Sequence, residues 1–151
     1  MTGNKLLAAG SALLLVAACQ GSDKAGQADS TIPDPNSTEP YAGIAENEVL
    51  RFSGTEPFWG GQIRGSALTY TTPDNPDGTT ITVNRFAGRG GLSFSGELDH
   101  AELEMTVTPQ RCSDGMSDRI YPFTVMLKIG EETRNGCAWS DKHPFEGPER
   151  P

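Results

Sequence analysis

Between Leu68 and Ile129 apolar and polar residues alternate almost one for one. Leu68 and Tyr70 alternate with Thr69 and Thr71, Ile81 and Val83 with Thr80, Thr82 and Asn84, and Leu92 and Phe94 with Ser93 and Ser95. Leu103, Met105 and Val107 alternate with Glu102, Glu104, Thr106 and Thr108; Phe123, Val125, Leu127 and Ile129 alternate with Thr124, Met126 and Lys128. A period of two places successive side chains on opposite faces of a strand, so each run reads as an antiparallel strand with one buried and one wet face. Threonine, a good strand residue, dominates the wet faces. Turn chemistry separates the runs at Arg64-Gly65, Pro73 to Gly78, Gly88 to Gly91, Asp99-His100 and Gly130-Glu131. Helical periodicity is missing from every window long enough to carry it. The chain is therefore all-β, with about seven or eight short strands joined mainly by hairpins. A meander of this size tends to close and so remove its edges, which predicts a small antiparallel up-and-down barrel. A two-sheet β-sandwich is the alternative. Arg111 to Asp118 breaks the alternation and reads as a compact loop or one helical turn.

The barrel domain is expected over residues 47–139, followed by a charged, proline-bearing tail, residues 140–151, that should fray. Before it, residues 19–46 are rich in Ser, Asp, Gly and Pro and read as a disordered tether. Residues 1–18 have the parts of a leader. Lys5 supplies positive charge, Leu6 to Leu15 is apolar apart from Gly10 and Ser11, and Val16-Ala17-Ala18 is a small-residue cleavage region ending at Cys19. This resembles a bacterial lipoprotein signal. The resemblance implies cleavage before Cys19, diacylglycerol on its thiol and usually a third acyl chain on the new amino group. Two or more chains anchor a protein stably where one does not. The expected location is the cell envelope, membrane-anchored through Cys19. In a Gram-negative host, Gln20 favours the periplasmic side of the outer membrane.

With Cys19 assigned to lipid, Cys112 and Cys137 remain as an even pair in an exported domain, and a disulfide is the default. It closes a loop of about 25 residues, worth on the order of 3–3.5 kcal/mol in the chain-entropy model. A structural zinc site is the rival, but two cysteines without a CxxC spacing and two histidines, His100 and His143, do not readily fill one. No metal and no cofactor are expected. The formal charge is −8, and one unit more negative once Lys5 leaves with the leader. This argues against nucleic acid as a partner and against electrostatic docking on anionic lipid.

Two motifs stand out: Gly54-Thr55-Glu56-Pro57-Phe58-Trp59, and Cys112 to Asp118 followed by Tyr121-Pro122-Phe123 and Gly136-Cys137. Together they resemble an uncharacterised family of bacterial envelope lipoproteins, distantly like META-type and lysozyme-inhibitor-like lipoprotein domains, with a GTEPFW opening and a CSDGMSDxxYPF…GC ending. The resemblance spans Phe52 to Ala138 and implies an exported β-rich domain with no established activity. Read from the residues, Phe58 and Trp59 are neighbours in a strand and face opposite sides. One belongs in the core, and Trp59 is expected to plug a barrel end with its N–H bonded. Ser113, Asp114, Ser117 and Asp118 are suited to bonding nearby backbone N–H groups.

Glu56, Asp114 and Asp118 form an acidic cluster if the two motifs meet near barrel closure. The candidate interaction site is Glu56, Trp59, Asp114, Met116, Asp118 and Tyr121. The leading functional expectation is a non-catalytic barrel that binds an envelope protein, in particular a basic lysozyme-like enzyme. A small-molecule carrier using the barrel mouth is one alternative. A hydrolase using Glu56 and Asp114 is another, and needs a cleft and a raised carboxyl pKa. No histidine is placed to serve a Ser-His-Asp site.

Overall fold

The structure is a computed structural model that describes residues 36–148. The leader, the lipidation position Cys19 and the tether as far as residue 35 lie outside the described residues, as do residues 149–151. The strands are β1 (Leu50–Thr55), β2 (Phe58–Arg64), β3 (Ala67–Thr72), β4 (Asn75–Ala87), β5 (Leu92–Leu98), β6 (Ala101–Thr108), β7 (Cys112–Ser113), β8 (Ile120–Tyr121), β9 (Phe123–Ile129) and β10 (Glu132–Ser140). Eight of them close an antiparallel barrel in the order β1-β10-β9-β6-β5-β4-β3-β2, while β7 and β8 pair with each other. The barrel expectation holds, and the sandwich alternative falls.

The alternation does what its period requires. Leu68, Val83, Phe94, Leu103, Met105, Val107, Phe123, Val125 and Leu127 point inward and are buried. Each large side chain so buried contributes about 1.5–3 kcal/mol. Thr69 and Thr80 face outward, their hydroxyls 2.8 Å apart across β3 and β4. Glu102 and Glu104 are also exposed. An apolar interior inside a polar wall is the reverse of a lipid-facing barrel. The inward side chains form one hydrophobic cluster.

Successive strands reverse direction, so the turns β1–β2, β3–β4, β5–β6 and β9–β10 share one end, called upper here. The other turns, the start of the β6–β9 connection, the entry into β1 and the exit from β10 share the lower end. Three boundaries differ from expectation. The turn expected over Pro73 to Gly78 shrinks to Pro73-Asp74. Asn75 to Gly78 enters β4 with a register shift opposite Tyr70 and Thr72, and the Asn75 side chain accepts from the Gly78 N–H at 3.2 Å.

The segment expected to be tether supplies core residues. Tyr41 and Ile44 are buried among the barrel side chains, because the Tyr41 N–H donates to the Gly88 carbonyl (2.8 Å) and the Glu46 carbonyl accepts from Gly65 (2.9 Å). The tail does not fray directly after β10. Ser140 is buried, and Glu146 exchanges backbone bonds with Ile120 at 2.8 and 2.9 Å.

Trp59 explains why some strands look weak in the sequence. Its ring lies inside, 5.8 Å from Phe52 and 6.4 Å from Tyr70, centroid to centroid. Space for it comes from Gly54 and Gly136 on adjoining strands. A Cβ on Gly54 would lie 2.1 Å from the indole nitrogen, and one on Gly136 2.9 Å from the ring.

Candidate functional site

Cys137 sits on the outer face of β10, opposite Ser53, where a side chain would ordinarily meet water. It is buried because the β6–β9 connection folds back over the wall and bonds to it. Cys112 and Cys137 form the expected disulfide, with Cα atoms 5.6 Å apart. Tyr121 in β8, Trp139 in β10 and Phe145 in the tail add an aromatic cluster on the same outer wall, with centroids 5.3–6.1 Å apart. Arg119 seats its guanidinium 4.5 Å above the Phe145 ring.

The loop is organised by Asp114. Its Oδ1 accepts from the Met116 and Ser117 N–H groups at 3.0 and 2.8 Å, and its Oδ2 accepts from the Ser117 hydroxyl at 2.7 Å and the Tyr121 phenol at 3.2 Å. Burial pushes this carboxyl up, but the four bonds overrule it and hold the pKa at about 2, below the usual 3.8. The carboxylate is therefore ionised and fully engaged. It has the opposite of the raised pKa that a general acid needs. Tyr121 is buried in the same bonding, whereas Met116, 67 % exposed, and Asp118 project outward.

Glu56 does not join this loop. It lines the upper cleft, while Asp114 lines a separate groove of about 230 Å³ between the loop and the β1–β10 seam. Thr55 borders both, and its hydroxyl donates to the Asp114 carbonyl at 3.4 Å. The acidic cluster of Glu56, Asp114 and Asp118 is thus not assembled. Among the described residues no group of three His, Cys, Asp or Glu side chains is placed to hold a metal. Trp59 is interior and 4 % exposed, and its N–H finds no acceptor among the described residues, contrary to expectation. An unmet buried donor of this kind costs about 1–3 kcal/mol. Phe58, in the opposite phase, is 56 % exposed at the rim of the upper cleft.

That cleft measures about 590 Å³ and lies between the β1–β2 and β3–β4 turns, with Arg134 entering it from β10. Arg134 is in the inward phase of β10, together with Gly136, Ala138 and Ser140. One guanidinium nitrogen donates to the Tyr70 phenol oxygen, a second reaches the Glu132 carboxylate at 2.7 Å, and Nε is buried without an acceptor among the described residues. Burial, partly offset by the cation, lifts the Tyr70 pKa above its usual 10, so the phenol stays neutral. Glu132 is the carboxylate that balances the charge of Arg134.

Exposed carboxylates gather at this end: Glu56, Asp74, Glu97, Asp99, Glu102, Glu131 and Glu132. Among the described residues the basic groups near them are Arg134, which pairs with Glu132, His100, whose Nδ1 lies 3.6 Å from Glu97, and, one residue pair down β9, Lys128.

The lower end holds a network that nothing in the sequence announced. The Glu48 side chain, 5 % exposed, accepts from the Ser140 hydroxyl and the Ala45 N–H, lies 3.1 Å from His143 Nδ1 and 3.7 Å from the Lys142 ammonium. Burial raises its pKa, but the bonds from Ser140, His143 and Ala45 together bring it below 4.5. Ser140 and His143 both turn to the same Glu48 oxygen, and the Ser140 hydroxyl also accepts from the His143 N–H at 3.0 Å. The carboxylate is the hub here, not the imidazole, so the arrangement is a latch between the entering chain and the tail instead of a nucleophile relay. Its partners are 92 and 95 residues apart, and only an inward-phase serine at the end of β10 hinted at it. Comparison with known proteins finds no matching family model, curated protein or solved structure.

Proposed function

We propose that this chain is a lipid-anchored cell-envelope protein whose barrel works by binding and not by catalysis, and that its partner is a cationic envelope protein such as a lysozyme-like enzyme. The observation that carries the reading is the gathering of exposed carboxylates at the upper end, against lower-end acids that are largely paired with cations. Such a field attracts and orients a basic partner. The membrane attachment rests on the leader and Cys19, and the resemblance to envelope lipoproteins agrees with it. A carrier function would need a hollow barrel, and the inward side chains of the described residues pack into one hydrophobic cluster. The two carboxylates of the hydrolase alternative face different clefts, and one is fully bonded.

Two measurements test the reading. Cys19→Ala should move the protein from the membrane to the soluble fraction and abolish incorporation of labelled palmitate; an unchanged distribution removes the anchor. The chain from residue 20, which contains the whole barrel, should bind lysozyme in calorimetry at low salt, with affinity falling as salt rises. No heat of binding and unchanged lysozyme activity would remove that partner.

A further inference from the structure

We propose that the upper cleft is the docking site for a short cationic segment of the partner, with one basic side chain lying between Glu56 and Asp74 and its aliphatic stem on Phe58. The proposal rests on the interaction reading above and narrows it to one surface. The apolar part of the cleft is Pro57, Phe58 and Pro73; its charged part is Glu56, Asp74 and Arg134.

Charge decides which occupant fits. Arg134 alone would favour an anion. Its charge, however, is already balanced by Glu132 at 2.7 Å, and its guanidinium is held by Tyr70. Glu56 and Asp74 are exposed and have no ion-pair partner among the described residues, so the cleft as a whole is negative. The surrounding carboxylates of the same end add to that field and do not reverse it. Lysine and arginine suit such a place for a second reason. Their stems cover apolar surface while the charged head stays at the rim, and a cation over a phenylalanine face adds attraction. The molecule already makes that contact within itself, at Arg119 over Phe145.

Position agrees as well. The lower end is where the chain enters β1 and leaves β10, and Tyr41, Ile44 and His143 pack there. The described chain therefore enters the barrel at the end opposite the cleft, held there by Tyr41 on Gly88 and by Glu46 on Gly65. Among the described residues, neither the strap nor the tail covers the upper cleft, whose lining comes from the β1–β2 and β3–β4 turns and Arg134.

The test uses the chain from residue 20 and two acetylated pentapeptides, one alternating leucine with lysine and one alternating leucine with glutamate. Binding is followed by calorimetry and by amide chemical-shift changes at low salt. The lysine peptide should bind, with shifts concentrated at Glu56, Phe58 and Asp74, and the glutamate peptide should not. The E56Q/D74N double variant should lose about tenfold in affinity. An E97Q/E102Q variant, which removes the same charge from the same end outside the cleft, should stay within about twofold. Equal losses in both double variants would mean a diffuse acidic field and overturn the cleft. So would shifts confined to Met116 and Asp118. If lysozyme binds E56Q/D74N as tightly as the parent, the cleft proposal falls while the interaction reading stands. If neither lysozyme nor the lysine peptide binds, both fall.

Discussion

The barrel carries an arginine in the inward phase at each end, and the two are treated differently. At the lower end Arg85 donates to the Ile44 carbonyl at 2.9 Å and lies 3.7 Å from Glu46, beneath a strap formed by the chain itself. At the upper end Arg134 is held by a neighbouring tyrosine and a rim glutamate, and its Nε has no acceptor among the described residues. The lower end is knitted from sequence-distant pieces: strap, β10 and tail. The upper end consists of short hairpin turns with an exposed phenylalanine and a concentration of carboxylates. Polar groups are bonded to one another where the chain closes on itself, and exposed carboxylates and an exposed ring are left where it does not. The difference places the polar network that ties the chain together at one end and the proposed docking cleft at the other, and substitutions can break that division.

The largest effect is expected beneath the upper cleft, where the core begins. Trp59→Ala empties the space between Phe52 and Tyr70 and should cost about 3–5 kcal/mol in urea denaturation. A much smaller loss would mean that the interior under the cleft is loosely packed and the cleft has no firm floor. Next comes the outer clamp. Replacing Cys112 and Cys137 together by serine should cost about 3 kcal/mol, chiefly through the unfolded chain. Since the clamp lies away from the upper cleft, binding at the cleft should persist wherever the variant is still folded. Loss of binding in a folded variant would show that the two regions are coupled through Thr55.

The lower latch should appear in the acid limb of stability. Glu48 and Asp114 both have folded pKa values below their ordinary ones, so both contribute stability that is present above about pH 4–5 and lost as pH falls. For Asp114 the loss runs between its usual 3.8 and about 2. Glu48→Gln keeps the shape but removes the charge that Ser140, His143 and Lys142 face. It should cost about 1–3 kcal/mol near neutral pH and flatten the pH dependence of the urea midpoint below about pH 5. An unchanged pH profile would mean that the latch adds nothing to stability.

Legibility in the sequence followed the same division. β3, β5, β6 and β9 could be read directly, since each packs a full inward row against the core. β1 and β10 could not, and β2 could be read only at its Phe58-Trp59 start. Their inward positions include Gly54, Gly61 and Gly136, which are small because Trp59 and Phe52 fill the space over them. One large ring on β2 thus erases the apolar period of its neighbours. The disulfide was legible from cysteine parity alone. The latch was not, because nothing local marks residues that meet only after the barrel has closed. Glu56 was assigned to the candidate site and lies in the cleft; Phe58 stood in the same motif without that assignment, and Asp74 and Arg134 had none. An arginine in phase with Gly136 and Ala138 was the available sign, and it became visible only once β10 was known to be a strand.

The smallest expected change in stability is also the sharpest test of the comparison. Phe58 and Trp59 are adjacent in β2, both aromatic, and separated only by the two-residue period of the strand. Phe58→Ala removes a side chain that is already 56 % exposed and packs no core, so stability should change by less than about 0.5 kcal/mol. The same substitution removes the ring against which a basic side chain would lie, so lysine-peptide affinity should fall while the urea midpoint stays put. Two neighbouring residues would then divide the roles of the two regions, Trp59 holding the barrel and Phe58 meeting the partner. If Phe58→Ala destabilises the protein as Trp59→Ala does, the rim belongs to the core, and the upper end serves structure as much as the lower.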